Sequence, residues 1–173
     1  SQGGGVAYAV AEARSNQVKG MIIAEPGGSV RSPNFKYNPP ITNVNQFSTY
    51  EAPPDRPGEE PCMLQKDPVR KLVNWGNIPI LNISGNGGYH RAGDACGPKW
   101  MNQAGAKVEF VRLEDVGING NGHQSMFEKN SDQIISFIDN WLRKNTLAGA
   151  PNPSKAMPPA AIPTFSTENL ASK

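Results

Sequence analysis

The sequence lacks most of the features that announce a function early. Of its 173 residues only two are histidine and two cysteine. No CxxC or HxxxH spacing gathers them into a zinc site. No stretch approaches the roughly 18 consecutive apolar residues of a membrane span. Charged residues make up 18%, below the roughly 25% of an ordinary soluble domain, and the formal net charge is +2. That balance excludes a polybasic nucleic-acid or membrane surface, a coiled coil, and a disordered tail of one charge sign.

Glycine (18) and proline (16) are abundant instead, together about a fifth of the chain against an average of roughly 12%. The prolines are clustered. Eight lie in residues 26–66 and five in residues 145–173. The first stretch has little periodicity and reads as a lid-like insertion, with Phe35, Tyr37, Phe47 and Tyr50 for apolar contact. The second reads as an extended tail. The remaining chain alternates. Residues 3–15 predict a helix whose small face is Ala7, Val10, Ala11 and Ala13. Residues 19–24 predict a buried strand stopped by Glu25-Pro26-Gly27-Gly28. Asp67 and Pro68 suit the cap and first position of a short helix. Residues 78–83 predict a second strand, 97–104 a helix ended by Gly105, and 107–113 a third strand. A last helix begins at Asn130 or Ser131, with Ile134, Ile135, Ile138, Trp141 and Leu142 as its apolar stripe.

Such alternation predicts an α/β fold with a parallel sheet over residues 1–144, followed by the tail. Three strands are fewer than the five or six of an average sheet. The expectation is therefore that further strands precede Ser1, on an upstream partner chain. Cys62 and Cys96, 34 residues apart in loop-like surroundings, are either two free thiols of a cytosolic protein or one disulfide of a secreted one. Their exposed flanks favour the disulfide. The sequon Asn82-Ile83-Ser84 falls inside a predicted strand, a poor place for glycosylation.

The chemistry-bearing residues stand at element ends. Ser1-Gln2-Gly3-Gly4, opening a helix of small residues, matches the second half of the nucleophile elbow G-x-S-x-G. His123 sits in Gly120-Asn121-Gly122-His123, after the third strand and before the last helix. His90, in Gly87-Gly88-Tyr89-His90, reads either as a residue lining the same site or as one facing water. The turn after the second strand, Ser84-Gly85-Asn86-Gly87, has no carboxylate, and Asp94 lies several residues further on. Glu25 ends an apolar strand, where an unpaired carboxylate is expensive. It therefore needs a partner, and His123 is the natural one.

On these residues the chain resembles the C-terminal half of an α/β-hydrolase. More narrowly, it resembles the esterase subfamily with a Ser-His-Glu triad, whose glutamate follows the strand after the elbow. The resemblance rests on Ser1-Gln2-Gly3, Met21-Ile22-Ile23-Ala24-Glu25-Pro26-Gly27, Ile78-Pro79-Ile80-Leu81, and Gly120-Asn121-Gly122-His123-Gln124-Ser125-Met126 running into Glu128-Lys129-Asn130. The Gly-x of the elbow is missing. The resemblance implies a serine esterase acting on a small-molecule ester. Ser1 is then the nucleophile, His123 the base and Glu25 the residue that orients it. The Gln2 amide is one oxyanion donor, with His90 nearby at the substrate. No metal, organic cofactor or nucleic acid is implied, and the location is secreted or otherwise extracytoplasmic. The start at Ser1 raises the expectation of a precursor cut at the elbow and working as a two-chain complex. Three other readings remain open: an acyltransferase with the same triad, a non-catalytic binding protein on this fold, and an N-terminal-nucleophile hydrolase.

Overall fold

The structure is a computed structural model that describes residues 1–146, so the expected Pro-rich tail lies almost wholly outside the described residues. Three strands form a parallel sheet: β1 (Met21–Ala24), β6 (Pro79–Ser84) and β7 (Lys107–Arg112), in the order β1-β6-β7. Register runs Met21 to Ile80 and Ile80 to Val108. Side chains alternate across the sheet, as the pleat requires. Met21, Ile23, Ile80 and Val108 join one buried cluster, and Leu81 and Ile83 join another. Both faces are therefore covered, the usual condition of parallel strands. This is a parallel α/β arrangement, not the antiparallel sandwich of the N-terminal-nucleophile hydrolases.

The first cluster lies under α1 (Gln2–Ala13) and α2 (Cys96–Gln103), the second under α3 (Ser131–Asn145). On α1 the buried side chains are Tyr8 and Ala11. Ala7 packs partly, while Val10 is 50% exposed and Ala13 faces out. The predicted small-residue face is thus rotated. Tyr8 turns it, by stacking on Trp75 at 5.4 Å. Glu12 fixes it, accepting from Trp75 Nε1 (2.8 Å), Asn74 Nδ2 (2.8 Å) and the Lys36 amide (2.9 Å). On α3, Ile134 and Trp141 are buried but Ile135 is 59% exposed, so the apolar stripe is narrower than predicted.

Residues 26–66 carry β2 (Tyr37–Asn38), β3 (Thr49–Ala52) and β4 (Cys62–Gln65). Tyr37 and Phe47 are core residues, edge-on to one another, and Phe47 also meets Trp100 edge-on. Burial pushes the Tyr37 hydroxyl up to about 12, against the hydrogen bond it accepts from Trp100 Nε1, which lowers it. Tyr50 is the outward aromatic, 42% exposed. β3 pairs with β4, and Cys62 is bonded to Cys96 at the start of α2. The short helix predicted after Asp67 does not form. Its backbone groups are used elsewhere: the Gln65 side chain takes both the N–H and the C=O of Arg70, and the Leu72 amide donates to Ala104. The segment runs extended as β5 (Lys71–Leu72) against β2. No helix among the described residues is long and apolar enough to cross a membrane.

Candidate active site

Three chain segments meet at the C-terminal end of the sheet. The first is the turn after β1. Glu25 is 1% exposed and has φ +41, the one non-glycine residue of the described chain with a positive φ. A left-handed conformation on a side chain of this size costs of order 1 kcal/mol and persists only where its surroundings hold it. Here the Glu25 amide donates to Ile83 O at 3.1 Å, continuing the β1–β6 pairing one residue past the strand. Its carboxylate points into the site. Oε1 accepts from the Gly85 amide at 2.9 Å, and Oε2 lies 2.9 Å from His123 Nδ1.

The second segment is the start of α1. The Ser1 nitrogen donates to Glu25 O at 2.5 Å, and Ser1 O accepts from Gly27 N (2.7 Å) and Gly4 N (2.9 Å). The Glu-Pro-Gly turn and the helix N-terminus thus grip one another. Gly4 makes this approach possible, because a Cβ there would stand 2.4 Å from Pro26 Cβ. Gln2 is the first helical residue, so its amide is among the N–H groups that an α-helix leaves without an internal partner. The Ser1 hydroxyl caps nothing, and no hydrogen bond among the described residues joins it to His123.

The third segment is the loop between β7 and α3. Asn121 is fully buried and anchors it. Its carbonyl accepts from Gly87 N at 2.8 Å, and its side chain exchanges hydrogen bonds with Asn130 at 2.7 and 3.1 Å. Asn130 stands at the N-cap of α3 as the sequence suggests, but its side chain is spent on this loop and makes no cap hydrogen bond. The pair fixes the loop that presents His123, whose side chain is 13% exposed.

His90 lies beside His123, with ring centroids 4.6 Å apart and nearly perpendicular. Its Nδ1 is 3.0 Å from Asp94 Oδ1, and Asp94 Oδ2 accepts from Ser84 Oγ at 2.5 Å. The structure therefore pairs Asp94 with His90, not with His123. Tyr89, 78% exposed, lies over both imidazoles at 4.2 and 4.8 Å. Two contributors are not legible as such in the sequence. Tyr89 reads only as a neighbour of His90. Gly88 reads as one of several loop glycines, yet a Cβ on it would sit 2.5 Å from Glu25 Oε1. The doubled glycine after β6 is the only hint of that constraint.

A cleft of about 340 Å³ opens beside these segments, lined among others by Pro26, Arg31, Met63, Asp94 and Trp100. The Arg31 guanidinium lies 5.4 Å from the Trp100 ring centroid. The cleft wall from the insertion is held to α2 by the Cys62–Cys96 disulfide and by an ion pair of Lys99 with Asp55 at 2.7 Å.

The chain is 29% identical over 161 residues to a protein of Fungal sp. (strain ATCC 74256) described as "Probable secreted lipase phiG", across 83% of this chain and 44% of that protein. It thus spans less than half the length of the curated relative it matches. No family model and no solved structure matches it.

Proposed function

We propose that this chain carries the catalytic residues of a secreted serine hydrolase acting on carboxylic esters. Ser1 is the nucleophile, His123 the general base and Glu25 the residue that orients the base. One observation carries the reading: Glu25, buried at the end of a parallel strand, has a carboxylate held by a backbone amide and facing Nδ1 of His123, while its carbonyl accepts from the serine that opens a helix. The carboxylate keeps the proton on Nδ1 and leaves Nε2 free to accept the serine proton. Ser1 Oγ attacks the ester carbonyl while His123 takes its proton. The oxyanion receives the Gln2 amide, aided by the field of the helix N-terminus. The tetrahedral intermediate collapses, His123 returns the proton to the leaving alcohol, and water releases the acyl group by the same steps. The similarity to a protein described as a secreted lipase supports an ester substrate and an extracellular location.

In its finer form the reading adds polypeptide beyond these 173 residues. β1 pairs with β6 alone among the described residues, so its other edge is open. The matching relative is more than twice as long as the matched region. Further strands on that edge would complete the sheet and supply the second oxyanion donor. An intact mass of the purified protein tells a joined chain from two.

The deciding experiment is labelling with a fluorophosphonate. The expected result is one adduct on Ser1, lost in Ser1→Ala. A folded protein that stays unlabelled at Ser1 sinks the reading and leaves a binding role. Partition of the acyl group between water and an added alcohol separates a hydrolase from an acyltransferase. A p-nitrophenyl ester series of graded chain length reads the depth of the acyl pocket.

A further inference from the structure

The chain has two histidines, 33 positions apart, and the fold sets them side by side with ring centroids 4.6 Å apart. Each has a carboxylate on its Nδ1. Glu25 Oε2 lies 2.9 Å from Nδ1 of His123, and Asp94 Oδ1 lies 3.0 Å from Nδ1 of His90. Each carboxylate has its other oxygen occupied, by the Gly85 amide and by the Ser84 hydroxyl. A carboxylate on Nδ1 fixes the tautomer, stiffens the ring and makes the second nitrogen a better donor. It is the partner found behind metal-ligating histidines. One ligand atom from each of Glu25, His90 and His123 lies within 4.8 Å of the others.

We propose that the His90–His123 pair is a binding site for a borderline divalent cation of the Zn²⁺ type, taken through the nitrogens that the two carboxylates leave free. Imidazole nitrogen suits zinc, copper and nickel, and does not suit magnesium or calcium, which require oxygen. Zinc–nitrogen bonds of about 2.0–2.1 Å place two tetrahedral ligands roughly 3.3 Å apart, so the rings must turn to bring their free nitrogens to that separation on the ion. His90 can supply the movement, because its side chain is 33% exposed against 13% for His123. Water or a carboxylate oxygen completes the coordination. The ion would sit on the nitrogen that takes the serine proton, and so would block hydrolysis. That consequence rests on the reading of His123 as base; the binding does not.

The test uses the full chain, stripped with a chelator, exchanged into metal-free buffer and titrated with zinc chloride while the imidazole proton resonances are followed. With only two histidines in the chain, a single substitution assigns both sets of signals. Both imidazoles are expected to shift or broaden together up to one equivalent of zinc, and magnesium chloride to leave them unchanged. By calorimetry, His90→Gln and His123→Gln are each expected to weaken zinc binding at least about tenfold. A response from one imidazole or from neither overturns the site, as does zinc affinity unchanged in His90→Gln. If a variant fails to fold, the resonances of the unsubstituted protein still decide. If both imidazoles bind zinc and ester hydrolysis continues at its full rate, the site stands and His123 as base falls.

Discussion

Two carboxylate–imidazole pairs lie within a ring's breadth of each other and are built very differently. His90 and Asp94 are four residues apart in one short turn, and Asp94 is steadied by the Ser84 hydroxyl. Glu25 and His123 are 98 residues apart. Their contact needs the β1–β6 pairing, a left-handed residue at Glu25, the Gly85 amide and the buried Asn121–Asn130 pair. Glu25 is 1% exposed, whereas the His90 side chain is one-third exposed. A local pair costs the fold little and stays partly wet. A pair assembled from the whole domain is dry and rigid, and strain kept at such a place is where function is most often found. This difference supports the proposed choice of His123 as the reacting imidazole, with His90 beside the substrate.

Substitution of the two carboxylates puts the greatest strain on that comparison. Glu25→Gln is expected to lower kcat/KM by roughly 10³–10⁴, as loss of the residue that orients a catalytic histidine does. Asp94→Asn is expected to cost about tenfold or less. Equal losses on a p-nitrophenyl ester would erase the distinction between the pairs.

The next effect is steric. Gly88→Ala drives a methyl group against both Glu25 oxygens, and is expected to destabilise by about 1–3 kcal/mol and to reduce activity with it. Gly97→Ala, in the first turn of α2 with nothing near its Cβ but directly before Pro98, is expected to change stability by less than about 0.5 kcal/mol. Urea midpoints of the two variants test the contrast, and a neutral Gly88→Ala would mean that the carboxylate has room to move.

Opening the disulfide is expected to cost about 2–4 kcal/mol for a loop of this length. Cys96 follows Asp94 by two residues, so reduction is expected to shift the His90 resonances more than those of His123. The reverse order would show that the disulfide supports the buried pair instead.

The smallest effect lies at the rim. The Lys99 ammonium beside Asp55 holds its carboxyl below the usual carboxylate range. A depressed folded value stabilises above the unfolded pKa and is lost as pH falls through the folded one. Asp55 is half exposed, so Asp55→Asn is expected to cost less than about 1 kcal/mol at neutral pH. That difference is expected to fade on acidification. Activity at neutral pH should not change, because the pair touches neither imidazole.

Much of the architecture is legible in the order of residues. The apolar runs at 21–24 and 79–84 and the alternating segment at 107–112 are short and carry β-branched residues, which makes them strands, and α3 is a helix because its apolar residues recur every three or four positions. The helix predicted after Asp67 is not, because the Gln65 side chain claims both backbone groups of Arg70 and Ala104, far away in sequence, takes the Leu72 amide. Similarly, nothing in the order of residues says that Tyr8 outcompetes Val10 for the core, since that depends on where Trp75 arrives.

The site divides the same way. That Glu25 ends a buried strand and needs a partner, that Ser1 opens a helix of small residues, and that His123 lies in a glycine-rich loop after the third strand can be read from the order of residues alone. These are properties of neighbours along the chain, fixed by periodicity and turn chemistry. Which imidazole each carboxylate meets, through which nitrogen, and how near the two pairs lie emerge only on folding. Those distances are set by strand register, by one left-handed residue and by glycines whose missing side chains let the segments close, and none of these is written in local sequence.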